Sequence, residues 1–188
     1  MKTIKLEIDG KTYETNEGTT VLQVARQSGI DIPTLCHNEK LTPYGGCRLC
    51  MIEVTKGKRT RIVASCVYPA EEGIVVKTNT EKIKKIRRML IEMLLPLTDA
   101  GPLQELAKKY GIEKSRFTGE KTDCILCGLC VRYCAEIKKA NAVFFKKRGI
   151  ERNLIPVSEI SGTCIGCKEC FHLCPGGLIV ELAEDMYL

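Results

Sequence analysis

Apolar and polar residues alternate from the start of the chain. Ile4, Leu6 and Ile8 fall on one face of Thr3–Ile8, with charged neighbours between them, which is the period of a half-buried strand. Asp9-Gly10 follows, a turn pair that accepts positive φ, and Thr12–Thr15 reads as the returning strand of a hairpin. The pattern then changes to a helical one. Val21, Leu22, Val24 and Ala25 are apolar, Thr19 or Thr20 can cap the first turn, and Gly29 can stop a helix over Val21–Ser28. Strands are expected again at Met51–Thr55, Arg61–Ser65 and Ile74–Lys77. A long helix is expected over Glu81–Leu95. Its basic residues Lys82, Lys84, Lys85, Arg87 and Arg88 are read as a solvated face opposite Ile83, Ile86, Leu90 and Met93, with docking of an acidic partner as the other use of that face. Gly101-Pro102 opens a short helix, Leu103–Tyr110, closed by Gly111. Two short strands are expected at Ala142–Lys146 and Leu154–Val157, with Lys146-Lys147-Arg148 at the hairpin tip.

Composition redirects attention to one residue type. Of 188 residues 12 are cysteine, while Trp is absent and aromatics are 5%. The N-terminus alternates charge with apolar residues and has no apolar core of a secretory signal. No apolar run approaches the ~20 residues that cross a bilayer. A disulfide scaffold is therefore disfavoured, and a cytoplasmic protein with no membrane span is expected.

The cysteines fall into two groups separated by residues 67–123, which contain none. In the C-terminal group, Cys124, Cys127, Cys130 and Cys134, then Cys164, Cys167, Cys170 and Cys174, each read C-x2-C-x2-C-x3-C, and Pro175 follows the last. This is the bacterial ferredoxin signature, in which three thiolates hold one 4Fe–4S cube and the fourth serves the other cube. Carried over, one cube takes Cys124, Cys127, Cys130 and Cys174, and the other takes Cys134, Cys164, Cys167 and Cys170. The fourth cysteine of each run is expected to open a helix. Gly128, Gly166 and Gly176 suit backbone wrapped closely around sulfide. Ile125, Leu126, Leu129, Ile165 and Leu173 would shield the clusters. Ala135 stands where the signature has Pro, which weakens a turn signal and removes no ligand. Structural zinc also uses C-x2-C pairs, but a third cysteine two residues further on, repeated twice, is a poor zinc pattern.

The N-terminal group is Cys36, Cys47, Cys50 and Cys66, with gaps of ten, two and fifteen residues. Strand, hairpin, helix and further strands around a cysteine loop suggest a β-grasp domain. That domain resembles plant-type ferredoxins, which hold a 2Fe–2S cluster, although their first gap is four residues rather than ten. The stretch Leu35-Cys36-His37 through Gly45-Gly46-Cys47-Arg48-Leu49-Cys50 to Ser65-Cys66-Val67-Tyr68-Pro69, the helix ending at Met93-Leu94-Leu95, and Cys124–Arg132 together resemble the start of the large iron–sulfur subunit of respiratory NADH dehydrogenase. They resemble equally the iron–sulfur diaphorase subunits of NAD-linked hydrogenases and formate dehydrogenases, and the N-terminal part of multi-cluster iron hydrogenases.

That resemblance implies an α+β chain in three parts: a β-grasp 2Fe–2S ferredoxin domain over 1–78, a helical linker over 79–119, and a bacterial-type 2×4Fe–4S ferredoxin domain over 120–188. It implies a 2Fe–2S cluster on Cys36, Cys47, Cys50 and Cys66. It implies an electron-transfer subunit that is not itself catalytic, set between an NADH-binding FMN flavoprotein and a hydrogenase small subunit or a formate dehydrogenase. Ferredoxin joins as a partner if the complex is electron-bifurcating. Family members usually carry a His-plus-three-Cys cluster after the long helix; residues 96–123 hold no His and no Cys, so that cluster is expected to be absent. The stop at Leu188, before any molybdenum, tungsten or hydrogen-cluster domain, implies a subunit that does not convert substrate. A diffusible polyferredoxin is one rival. The iron–sulfur subunit of a fumarate reductase or succinate dehydrogenase is another, disfavoured by the ten-residue gap and the two intact four-cysteine runs. His37 and His172, each beside cysteine ligands, are read as tuning rather than ligating residues.

Net charge enters last. The formal +6 invites a nucleic-acid partner. Three clusters of roughly −2 each would bring the loaded chain close to neutral, so no nucleic-acid role is expected.

Overall fold

A computed structural model gives the fold of residues 2–154 and 167–178. By contact, the chain divides into two compact units: Met1–Leu35 with Pro43–Leu90, and Cys36–Thr42 with Ile91–Leu188.

The first unit is a five-stranded mixed sheet whose core is covered by a first helix and by Ile83 of the helix that begins at Glu81. Strands β1 (Thr3–Ile8), β2 (Lys11–Asn16), β3 (Met51–Lys56), β4 (Arg59–Ala64) and β5 (Val75–Lys77) lie in the order β2-β1-β5-β3-β4. β1 runs parallel to β5 and antiparallel to β2, and β3 is antiparallel to both β4 and β5. This is the β-grasp arrangement expected from the element order. The alternation of β1 is physical: Ile4, Leu6 and Ile8 are buried, while Thr3, Lys5 and Glu7 are not. Asp9 and Gly10 both take positive φ, 49° and 84°, as a tight hairpin requires. Helix α1 (Val21–Gln27) starts from Thr20. The Thr20 hydroxyl accepts from the Gln23 amide at 3.3 Å, and the Gln23 side chain accepts from the Thr20 amide at 2.9 Å. Its buried residues Val21, Leu22, Val24 and Ala25 join Ile52, Val54, Ile74 and Val76 in one core, which includes Cys50 and Cys66.

Helix α2 (Glu81–Leu94) crosses the division between the units. Here the basic-face reading needs correction. Arg87 is buried at 2% exposure, and Met93 is exposed. Arg87 lies four residues from Ile83 and four from Ile91, both fully buried, so the helical period puts it on the inner stripe. Lys82, Lys85 and Arg88 do face solvent.

The second unit contains α3 (Gly101–Lys109), α4 (Leu129–Glu136) and the two-stranded ribbon β6 (Phe145–Lys146) with β7 (Asn153–Leu154). Pro102 sits in the first turn of α3, Leu103 and Ala107 are its buried residues, and Gly111 ends it at φ 64°. Of the two expected strands, the described residues show Phe145–Lys146 paired with Asn153–Leu154. Positive φ at Lys147 and Gly149 turns the chain between them, and residues 155–157 of the expected second strand lie outside the described residues. Among the described residues no helix is long and apolar enough to cross a membrane.

Candidate functional site

Hairpin register brings Cys50 and Cys66 of the N-terminal group together. β3 and β4 pair Met51 with Ala64, and one step further the Ser65 amide donates to the Cys50 carbonyl at 3.0 Å. The fifteen-residue gap between Cys50 and Cys66 is therefore one closed hairpin, which returns Cys66 beside Cys50. Their sulfurs lie 3.3 Å apart, and both residues are buried at 1% exposure. Cys47 is half-buried, and its sulfur accepts from the Leu35 amide at 3.4 Å, one residue before Cys36 in the chain. The intervening loop turns through positive φ at Gly45 (68°) and Arg48 (60°). Cys36 itself is buried and belongs with the second unit.

In the second unit, Cys124, Cys127, Cys130 and Cys174 line one cavity with Ile125, Gly128, Phe145, Leu154 and Gly176. Gly176 permits this closeness. A Cβ there would stand 2.5 Å from the Asp123 carbonyl oxygen. The Gly176 carbonyl accepts from the buried Thr98 hydroxyl at 2.6 Å, which ties the end of the cysteine run to the segment after α2. A second cavity, of ≈180 Å³, is lined by Cys134, Cys167 and Cys170 with Tyr133, Lys138, Ala142 and Val143. The Cys134 sulfur accepts from the Ala142 amide at 3.1 Å. Outside it, Glu169 accepts from the Tyr133 hydroxyl at 3.0 Å and pairs with Lys138 at 2.5 Å. Lys138 and then Tyr133 hold the Glu169 carboxyl below its ordinary range. Cys164, Ile165 and Gly166 lie outside the described residues.

Helix α4 differs from expectation. It opens at Leu129 after Gly128 (φ 70°), before the third cysteine rather than at the fourth, and Cys134 sits in its last turn. Four residues apart on the same helix, Cys130 lines the first cavity and Cys134 the second. Leu126 is exposed at φ 52°, so it does not shield, whereas Leu129 is buried. His172 is exposed and His37 half-buried.

The donors suit iron–sulfur clusters. Burial raises the Cys124 and Cys130 thiols and pushes Cys127 up to about 12, with the neighbouring thiols Cys174, Cys124 and Cys36 adding to it. Such thiols stay protonated until a metal displaces the proton, and a soft polynuclear iron centre does so. The Cys36–Thr42 segment lies against the same unit. Arg132 of α4 donates to the Cys36 carbonyl at 2.6 Å and to the Thr42 carbonyl at 2.7 Å, while Glu136 accepts from the Thr42 amide at 2.7 Å. Arg87, Arg132 and Thr98 are residues that the cysteine spacing does not reveal. Only Arg87 leaves a mark in the sequence, as a cation at an apolar position of a helical stripe.

Comparison with known proteins agrees with this chemistry. Residues 1–81 match the 2Fe-2S iron-sulfur cluster binding domain, and residues 123–178 match the 4Fe-4S dicluster domain. The NADH-ubiquinone oxidoreductase 75 kDa subunit of Reclinomonas americana is 32% identical over 210 residues, covering 95% of this chain and 29% of the relative. The chain is an iron–sulfur protein homologous to that 75 kDa subunit. The likeness extends to hydrogenases. NADP-reducing hydrogenase subunit HndD of Solidesulfovibrio fructosivorans is 30% identical over 218 residues, covering 96% of this chain and 36% of the relative. In the crystal structure of an NAD+-reducing [NiFe]-hydrogenase in the H2-reduced state, one chain superposes with a TM-score of 0.79 at 28% identity, covering 93% of this chain and 86% of that one. The two curated relatives are longer than the homologous region, which spans 29% of one and 36% of the other.

Proposed function

We propose that this chain is an electron-transfer subunit with one 2Fe–2S cluster on Cys36, Cys47, Cys50 and Cys66 and two 4Fe–4S clusters. One cube takes Cys124, Cys127, Cys130 and Cys174, and the other takes Cys134, Cys164, Cys167 and Cys170. The single observation that carries the reading is the pair of cysteine-lined cavities, each with thiols from both halves of the dicluster domain. Bound clusters would supply one-electron carriers, whose chemistry is the clusters' own. The chain's part is to exclude water with Leu129, Phe145 and Leu154, to fix the ligand loops, and to set the local field.

The NADH-oxidising and hydrogenase relatives support the choice of partners. An NADH-binding FMN flavoprotein would stand at the 2Fe–2S end, and a hydrogenase small subunit or formate dehydrogenase subunit at the other, in the cytoplasm. Electron bifurcation, with ferredoxin as third partner, is the stronger form of this proposal. Anaerobic purification tests the core of it. Iron and acid-labile sulfide should each reach about ten atoms per chain, from two plus four plus four. A colourless or zinc-loaded chain overturns the reading. Native complex that reduces NAD from hydrogen or formate at full rate without ferredoxin overturns bifurcation alone.

A further inference from the structure

Arg87 is a cation with 2% of its surface exposed, flanked on its helical stripe by Ile83 and Ile91, which are fully buried. Burying a guanidinium is costly unless its donors are satisfied, and Leu or Met would fill the same stripe at lower cost. Two of its donors reach one stretch of backbone. Its Nε donates to the Leu49 carbonyl at 2.9 Å and its Nη2 to the Met51 carbonyl at 2.9 Å. Between those two residues stands Cys50. The Cys50 carbonyl is held from another side, by the Ser65 amide at 3.0 Å and the Ser65 hydroxyl at 2.9 Å. Three successive carbonyls around one cysteine are thus fixed, two of them by a single planar fork.

We propose that Arg87 is the positioning residue of the 2Fe–2S site, its fork locking the Leu49–Met51 backbone that presents Cys50 and its charge favouring the reduced cluster. The inference rests on the reading that Cys36, Cys47, Cys50 and Cys66 hold that cluster. The planar guanidinium spans two carbonyls at once, whereas an ammonium is a point donor that cannot reproduce the fork. Reduction adds one electron to a centre already negative, so a fixed positive charge bound to the residues on either side of Cys50 stabilises the reduced form.

Arg87→Lys and Arg87→Met in the anaerobically purified full chain test this. The readouts are the electron paramagnetic resonance of the reduced 2Fe–2S centre and its midpoint potential in a dithionite titration. The 4Fe–4S signals of the same samples serve as the internal reference. Arg87→Lys, which keeps the charge and loses the fork, is expected to change the 2Fe–2S g values and leave the 4Fe–4S signals alone. Arg87→Met is expected to lower the 2Fe–2S reduction equilibrium at least tenfold as well, a shift of about 59 mV to more negative potential. Wild-type g values and potential in both variants overturn the role of Arg87. Should Arg87→Met fail to accumulate, wild-type g values in Arg87→Lys overturn it alone. Absence of any 2Fe–2S signal from the unsubstituted chain, beside intact 4Fe–4S signals, sinks the ligand assignment beneath it.

Discussion

A buried thiol is a poor ligand until it gives up its proton. Burial lifts Cys124, Cys127 and Cys130 above the ordinary 9.0 of a thiol, Cys127 to about 12. Each is neutral at physiological pH in the metal-free chain, so under the proposed ligand set each iron–thiolate bond would displace a proton. Loading the metal-free chain with iron and sulfide should therefore acidify a weak buffer and run faster in mildly alkaline than in mildly acidic solution. Absorbance of the forming clusters checks this, and a loading rate indifferent to pH contradicts it. The same shift has a sign for stability. A neutral buried thiol adds stability that is complete below the unfolded value of 9.0 and is lost as pH rises towards about 12. The thermal midpoint of the metal-free chain should fall across that interval, and that of the loaded chain should not. Gly176 offers a second residue-scale prediction. A methyl there meets the Asp123 carbonyl oxygen at 2.5 Å, which backbone cannot easily yield. Gly176→Ala is expected to cost about 1–3 kcal/mol and to lower iron content through the Cys174 cluster, read by thermal unfolding and iron assay.

Among elements, α4 and the 36–42 segment are held together by two side chains. Arg132 and Glu136 sit one and two turns into α4 and bind both ends of that segment. Arg132→Met removes the donors to the part-buried Cys36 carbonyl and the exposed Thr42 carbonyl, and about 0.5–1.5 kcal/mol per hydrogen bond should be lost locally. Hydrogen exchange of residues 36–42 should rise sharply in that variant and stay unchanged in Glu136→Gln, which keeps an acceptor; equal exchange in both would contradict it. How legible these elements are depends on range. The strand β1, the Asp9-Gly10 turn and the Thr20-capped α1 follow from neighbouring residues, so local pattern finds them to within a residue. The Cys50–Cys66 gap is likewise readable once β3 and β4 are seen as a hairpin. The errors come where tertiary context overrides composition. Arg87 reads as solvent-facing by charge, while its spacing from Ile83 and Ile91 puts it inside. α4 begins at Leu129 because Gly128 at φ 70° starts it, which the ferredoxin cysteine spacing does not encode. No sequence period announces that Arg132 reaches Cys36, 96 residues away.

At the scale of the whole molecule, the charge of the polypeptide and the charge of the working protein are different quantities. The chain has 29 Lys and Arg against 23 Asp and Glu, a formal +6, with a sequence isoelectric point of ≈8.7. The twelve cysteines add nothing to that sum while protonated. If all twelve ligate as proposed, each four-thiolate cluster would contribute roughly −2, and three would contribute roughly −6. The loaded chain should therefore focus near neutrality and the metal-free chain well above it. Anaerobic isoelectric focusing before and after stripping the iron measures the difference, and the loss of brown colour from the focused band identifies which species is which. Stepwise stripping should give two intermediate bands, with one and with two clusters removed. A single basic band that keeps both its colour and its position would mean that the thiols never joined clusters of that charge, and the ten-iron inventory would fail with it.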